Sequence, residues 1–521
     1  MSSTRLASFA CSLVAAASLL PAQNDFNLDK ISPAILGLTL DLRVNGAPPN
    51  QAILYVVSEN AGPTPLAWVD PIDPRLMEVG IDLLGVSGIG STGPGGTAIV
   101  GVPLPNNPSV HGAVLHWQSV ILLPQPGPVF GQISNKVISQ VGVAALGANA
   151  PTSLLDGRAF SASIVDANNN AGVGDVLITG GGAGTLTAAT GLATTELWDF
   201  RRMQRQAGPT MGTSRALHLA VRLNDNRVLV VGGADATGAV LSSCEIYDPV
   251  TNLFTPTNSM STPRVLHAAC RLADGRVMVA GGTSTLQPDV LAAIAGTLSS
   301  VEIYDPSTGL WSAANPIGGR RLGPALTLLS NNQVLVSGGV SVTLFGTTPI
   351  AANSTNTCQR WNPATQTWGA ANSMPSPRAG HHYNQVTLAD GRVLMTGGVN
   401  VPGLLTAASS APIAAADVYN PTTNTWTAVN MTNARALHSA TRLADGRVVV
   451  AGGAQGTLLA PVSIANVDIF NPATNTWSAS TALLQPRASH AAELLPDGQL
   501  LLFGGQGAAA TLTDVETLRF F

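Results

Sequence analysis

The apolar positions of this chain gather into short runs that end on a pair of glycines: LITGG at Gly180, LVVGG at Gly232, VMVAGG at Gly281, VLVSGG at Gly338, VLMTGG at Gly397, VVVAGG at Gly452 and LLLFGG at Gly504. Runs this short, bounded by turn residues, read as β-strands. The seven copies are separated by 52, 49, 57, 59, 55 and 52 residues. A period of that length marks a repeat architecture.

Each unit carries the same parts in the same order. It opens on Arg-x-x-His, as at Arg215 to His218, Arg264 to His267, Arg378 to His381, Arg435 to His438 and Arg487 to His490. A first strand, a, follows. A turn built on Asp274-Gly275, Asp390-Gly391, Asp445-Gly446 or Asp497-Gly498, with Asp225-Asn226 and Asn331-Asn332 as variants, joins it to the glycine-ended strand b. Such pairs tolerate positive φ and predict a two-residue type I′ hairpin. A variable loop leads to strand c, which ends in an aromatic and a Pro turn, as in EIYDPVTNLF from Glu245 and VYNPTTNTW from Val418; the next aromatic opens strand d. Four antiparallel strands make one blade of a propeller. The last copy stops at VETLRFF, after its third strand. Residues at about 141–150 are therefore expected to supply the fourth, closing a ring over 141–521 and removing an open sheet edge.

These motifs resemble the kelch repeat, and the propeller of the galactose oxidase group in particular, whose blades share the paired glycines, the DGRV hairpin and the YDP-x-T-x-x-W turn. The resemblance spans about 154–521 and implies an all-β, seven-bladed kelch-type β-propeller. It also raises that group's copper-radical chemistry, which draws on a Tyr-His pair at the place that here reads Arg-x-x-His. The residue before the histidine is Leu217, Leu266, Gly380, Leu437 or Ser489, so no copy has the tyrosine. Tyr247, Tyr304 and Tyr419 fill the repeated aromatic slot and read as packing. His381, His382 and Tyr383 form the one remaining cluster, either a binding site or a bulge in a strand two residues longer than its siblings.

Residues 24–140 lack the repeat and alternate β-like runs (36–44, 52–57, 113–123) with turn clusters (45–50, 85–96, 103–108), which suggests a small β-sandwich-like domain. Gly88-Ile89-Gly90-Ser91-Thr92-Gly93 matches a dinucleotide pattern, yet Pro94 follows it where a helix is needed, and a plain glycine loop is expected. Residues 1–23 join Arg5, an apolar stretch and small residues near Ala22, the pattern of a secretory signal peptide. No later segment is apolar enough to span a membrane. A secreted or extracytoplasmic location, in the periplasm or at the cell surface, follows.

Only 10% of the 521 residues are charged and the net charge is −4, so no basic stripe exists to hold nucleic acid. Cys11 lies in the signal, leaving Cys244, Cys270 and Cys358, an odd number without metal-ligand spacing; buried thiols are the simpler reading against a disulfide.

Candidate binding residues recur with the repeat. Arg158, Arg215, Arg264, Arg321, Arg378, Arg435 and Arg487 match in number Glu196, Glu245, Glu302, Gln359, Asp417, Asp468 and Glu516. They read either as one buried ion pair or hydrogen bond per blade boundary, or as a row binding carboxylates or sulfates by bidentate contacts. Asp166, Asn168, Asn170 and Asp175 in the first a–b hairpin set oxygens at alternate positions, a calcium-loop candidate. Leu177 stands where the bidentate Glu belongs, and the competing reading is a polar hairpin tip. No other cofactor is expected. Catalytic residues are not identified, since GxSxG and HExxH are absent.

In an a–b–c–d meander the a–b and c–d turns share one face and the b–c and d–a connections the other. The second face carries the long, largely apolar loops 283–300, 340–357, 399–416 and 454–467. It is expected to dock the N-terminal domain or an external partner. The expected function is that of a secreted, non-catalytic protein binding protein or glycan there. A carbohydrate-acting or oxidative extracellular enzyme and a structural surface component are the alternatives.

Overall fold

The computed structural model describes residues 204–520 apart from 287–293, 382–383, 405–409, 458–459 and 496–497. It also describes 153–165, 176–183 and 190–199 and, further upstream, strand segments between residues 27 and 149. All described elements are strands. The chain divides into two compact units, Met1–Val141 and Gly142–Phe521.

The first unit holds two larger antiparallel sheets. One orders Asn27–Lys30, Thr39–Asn45 and Ala98–Pro103; the other orders Val137–Gln140, Val114–Leu122, Ala52–Ser58 and Gly85–Ser91. Leu42, Val44, Ile53, Leu115 and Trp117 are buried in it. The expected glycine loop is in part a strand: Gly88 pairs with Tyr55 and Gly90 with Ile53, with an irregularity at Tyr55/Val56. Glycine there weakens a strand without preventing its pairing.

The second unit is a ring of seven four-stranded antiparallel sheets. Blade 2 shows the pattern: a is Leu219–Arg222, b Val228–Val231, c Cys244–Asp248 and d Leu253–Thr257. The b strand is buried at every position while d is mostly exposed, which is why b is apolar throughout. The a strands of blades 1 to 7 are Ala162–Val165, Leu219–Arg222, Ala268–Arg271, Ala325–Leu328, Gln385–Thr387, Ser439–Arg442 and Ala491–Leu494. Each touches the next, and blade 7 touches blade 1, so the ring is closed. Blade 7 gains its fourth strand from Ala148–Asn149, which pairs antiparallel with Thr517 and Glu516.

The a–b turns differ from the type I′ expectation. In blade 3, Leu272 N–H donates to Arg276 O at 2.7 Å and Gly275 N–H to Leu272 O at 3.0 Å, and of the turn residues only Gly275 has positive φ (91°). This is a three-residue loop, a type I turn followed by a left-handed residue. Asp274 then accepts from Arg276 N at 3.0 Å, which explains the Asp-Gly-Arg spelling.

The arginines act as keystones. In all seven blades the arginine main-chain N–H donates to the preceding blade's b–c loop, as from Arg215 to Leu192 O at 2.9 Å. Its carbonyl accepts from the second glycine of the preceding blade, as from Gly181 at 2.8 Å; the circle ends with Gly505 N–H on Arg158 O at 2.9 Å. The first glycine must pass so close that a Cβ on Gly232 (φ +59°) would meet Arg264 O at 2.6 Å and His267 Cε1 at 3.1 Å. Histidines tie the same boundaries: His218 Nε2 lies 2.8 Å from Thr179 Oγ1, His381 3.1 Å from Ser337 Oγ and His438 2.8 Å from Thr396 Oγ1. Where Ala451 replaces that hydroxyl, His490 turns to Ser439 Oγ at 2.9 Å.

Candidate functional site

The two faces of the ring differ in charge. On the turn face, Asp225–Arg227, Asp274–Arg276, Asp390–Arg392 and Asp445–Arg447 form exposed pairs at 2.6–2.7 Å. The seven b–c connections, residues 180–194, 232–243, 281–300, 338–357, 397–415, 452–466 and 504–514, contain no Lys or Arg and only Asp235, Asp289 and Asp514. Four of them fold back as ribbons: Gly182–Ala183 with Thr190–Gly191, Val340–Phe345 with Thr348–Ser354, Val399–Asn400 with Ala411–Pro412, and Ala454–Gly456 with Pro461–Ser463. Phe345 (79% exposed), Ile350, Leu404 and Val462 stand out from these loops.

At the axis, the residue two places after each arginine has positive φ: Phe160, Leu217, Leu266, Gly323, Gly380, Leu437 and Ser489. Five neighbouring pairs of these are joined by main-chain bonds, such as Leu217 N–H to Phe160 O at 3.1 Å and Phe160 N–H to Ser489 O at 3.0 Å. This annulus is the mouth of the channel. A hollow of about 180 Å³ borders it, lined by Val399, Pro412, Ala454 and Pro461 together with Gln455 and Gln506. A cavity of about 240 Å³ lies along the a strands, where Ser163, Ser439, Thr441 and Glu493 share the lining.

The seven arginines are at most 2% exposed. Arg215 Nη1 donates to Gly232 O and Ser243 O at 3.0 and 2.8 Å, and Nη2 to Ser243 Oγ and Glu245 Oε1 at 3.0 and 2.9 Å. Arg158–Glu196, Arg264–Glu302, Arg378–Asp417, Arg435–Asp468 and Arg487–Glu516 repeat the pair. The expectation of one ion pair across each boundary is corrected: the guanidinium and its acid belong to one blade, and the arginine main chain bridges the boundary. A row of guanidinium groups offered to an external carboxylate or sulfate finds no exposed nitrogen in this arrangement. Burial pulls Arg264, Arg321, Arg378 and Arg435 below the usual arginine range and pushes Asp417, Asp468 and Glu516 up against the opposing pull of their arginines.

His381 is fully buried at a boundary, and His382 and Tyr383 lie outside the described residues. So do Asp166, Asn168, Asn170 and Asp175. Among the described residues no group of three or more His, Cys, Asp or Glu side chains could hold a metal. The cysteines Cys244, Cys270 and Cys358 are free thiols, with burial pushing each up, to about 11, 12 and 12. A copper-radical donor set does not fit the described mouth. Leu437 and Ser489 precede the two histidines lining the cavity, and Tyr247, Tyr304 and Tyr419 pack on Phe254, Trp311 and Trp426 with ring centroids 4.7–5.1 Å apart. Sequence reasoning missed Glu493. The available signal was one carboxylate in a strand-a slot that holds Ile164, Val221, Cys270, Thr327 and Thr441 in other blades.

A closed ring of sheets whose glycine pairs dock on the next blade's Arg-x-x-His segment is a kelch-repeat β-propeller. The kelch motif itself is matched over residues 216–261 and 264–317, blades 2 and 3. The chain is 28% identical over 225 residues to the spermatocyte protein spe-26 of Caenorhabditis elegans, a match covering 42% of this chain and 36% of that protein. It is 25% identical to beta-scruin of Limulus polyphemus (39% and 20%) and to Kelch-like protein 25 of Xenopus tropicalis (36% and 28%). The matched part spans about a third or less of the length of these curated relatives. A solved structure of a fungal alcohol oxidase of the AA5 family, in complex with copper, is similar with a TM-score of 0.53 and 16% identity. That similarity covers 72% of this chain and 75% of the other, and is one of fold. The propeller thus resembles the galactose oxidase-like group in architecture. No helix among the described residues is long and apolar enough to cross a membrane.

Proposed function

We propose that the propeller is a protein-binding module that receives its partner on the b–c loop face, and that the chain acts outside the cytoplasm. The observation that carries the reading is the contrast between connections: turns studded with Asp–Arg pairs on one face, and on the other b–c loops that hold no Lys or Arg and present Phe345, Ile350, Leu404 and Val462. Depletion of charge with exposed large apolar side chains is the composition of an interface core. The kelch repeats matched in this chain support a protein partner over a glycan. The secretory pattern of residues 1–23 supports the location.

Chemical cross-linking in native extracellular or envelope fractions tests this, comparing the wild type with Phe345→Asp/Ile350→Asp/Val462→Asp and with Val250→Asp/Leu253→Asp/Leu310→Asp on the turn face. Loss of the cross-linked partner in the first variant alone is expected. Equal capture by all three chains, or selective retention of glycans by the wild type in place of protein, would sink the reading.

A further inference from the structure

Six buried acids of the propeller meet a guanidinium in their own blade. Glu493 is a different kind of acid. Its Oε1 accepts from Ser163 Oγ at 2.7 Å across the boundary between blades 7 and 1, and the charge of Arg222 favours its ionised form. The side chain is ringed by protein yet keeps partial access, because it borders the axial cavity of about 240 Å³. That cavity has two chemically distinct ends. Following the a strands inward from the mouth, Phe160, Leu217, Leu266 and Leu437 give way within four residues to Ser163, Thr441 and Glu493. Small residues, Ala220, Ala440 and Ala492, leave the space open between them.

We propose that the axial cavity is a binding site for a small primary alkylammonium, its charged end on Glu493 and Ser163 and its chain against the leucines of the mouth. An ammonium offers three donors and no acceptor, the complement of a carboxylate and hydroxyl oxygens. It gives Glu493 the cationic partner that the other buried acids already have. The volume is several times the roughly 30 Å³ of one water, enough for a ligand of about five heavy atoms. Dehydration holds the Glu493 carboxyl up at about 7, against the pull of Arg222 and the Ser163 hydrogen bond. Among the described residues, the groups around it do not change charge near that pH. Arg222 and Arg442 come from the a strands of blades 2 and 6, Arg442 bonded to Thr387 O; His438 and His490 are held neutral by burial and nearby arginines. Affinity therefore follows the ionised fraction of Glu493, which is about a tenth at pH 6 and about nine-tenths at pH 8.

The test is calorimetry and thermal melting of the full chain with n-butylammonium chloride, 1-butanol and potassium chloride as probes. Butylammonium is expected to bind with one-to-one stoichiometry, about tenfold more tightly at pH 8 than at pH 6, and at least tenfold more tightly than butanol. Glu493→Gln should abolish that preference, and Ala492→Leu should abolish binding by filling the space. Equal binding of butanol or potassium, a flat pH profile, or wild-type affinity in Glu493→Gln overturns the proposal. If Glu493→Gln does not fold, Ser163→Ala and Ala492→Leu decide: unchanged affinity in both refutes the site.

Discussion

Blades 2 and 4 are built from the same parts, but blade 4 departs from the repeat at three of them: Gln359 for the acid, Pro324 for the histidine and Gly323 for the left-handed Leu217 or Leu266. What survives is instructive. Arg321 keeps every neutral bond that Arg215 makes, with Nη1 on Gly338 O and Thr357 O at 3.1 and 2.8 Å and Nη2 on Thr357 Oγ1 at 2.9 Å. Gln359 Oε1 still receives Gly318 N–H at 2.8 Å, as Glu245 receives Gly212 N–H at 2.7 Å. The arginine's first duty is thus to gather the carbonyls where strands b and c leave the sheet. The carboxylate compensates the charge that duty brings inside. Blade 4 forgoes that compensation, and its b–c ribbon pairs with Arg320–Leu322 instead, a third strand that braces the arginine's own segment.

The largest effect expected from this comparison is in Arg215→Leu. It strands Glu245 and leaves Gly232 O and Ser243 O without their donor, so urea unfolding should show a loss of about 3–5 kcal/mol. A loss under about 1 kcal/mol would mean the keystone is dispensable. Next come two reciprocal changes. Glu245→Gln imitates blade 4 inside blade 2 and should cost less than Arg215→Leu, about 1–3 kcal/mol, because the amide keeps the main-chain bonds and only the charge pairing goes. Gln359→Glu should move the other way, raising the melting temperature of the whole ring by supplying Arg321 with an anion. If both lower stability equally, charge compensation is not what separates the blades.

The smallest effect is in pH dependence. Burial, with Arg215 and Arg158 for His218 and Arg487 for His490, pulls each imidazole down to about 3. The unfolded chain therefore takes up protons below about pH 6.5 that the folded ring does not, and these histidines make stability fall as pH drops from 6.5 toward 3. The raised carboxyls Asp417, Asp468, Glu493 and Glu516 work in the opposite sense, so the measurement is a difference between chains. His218→Gln should give a shallower acid-side decline in melting temperature than the wild type, toward the behaviour of the histidine-free boundary at Pro324. A decline of unchanged slope would remove His218 from the account.

The repeat was legible because its key positions admit few residues. A left-handed backbone pressed against a neighbouring carbonyl, as at Gly232, accepts only glycine, and a guanidinium gathering two carbonyls and an acid, as that of Arg215 does, is hard to replace. Those constraints write the same letters seven times. Turn geometry was less legible: Asp-Gly suits both a two-residue and a three-residue hairpin, and the closing Leu272–Arg276 pair decides between them. The arginine–acid partnership was visible, but its placement was not, since spacing cannot tell a side chain held in its own blade from one reaching across. Gly85–Ser91 looked like a loop because glycine is a turn residue more often than a strand residue. Glu493 escaped notice because a single carboxylate carries no motif; only comparison of one slot across blades sets it apart.

The two residues Ala148–Asn149 hold the last sheet shut from the far end of the propeller. During synthesis, blades 1 to 6 can assemble as they leave the ribosome, yet blade 7 stays a two-stranded fragment until Val515–Arg519 emerges and finds its mate, made hundreds of residues earlier. Until then the nascent molecule exposes an unpaired β-edge at each end, which makes that interval the one in which joining to a neighbouring copy competes with self-closure.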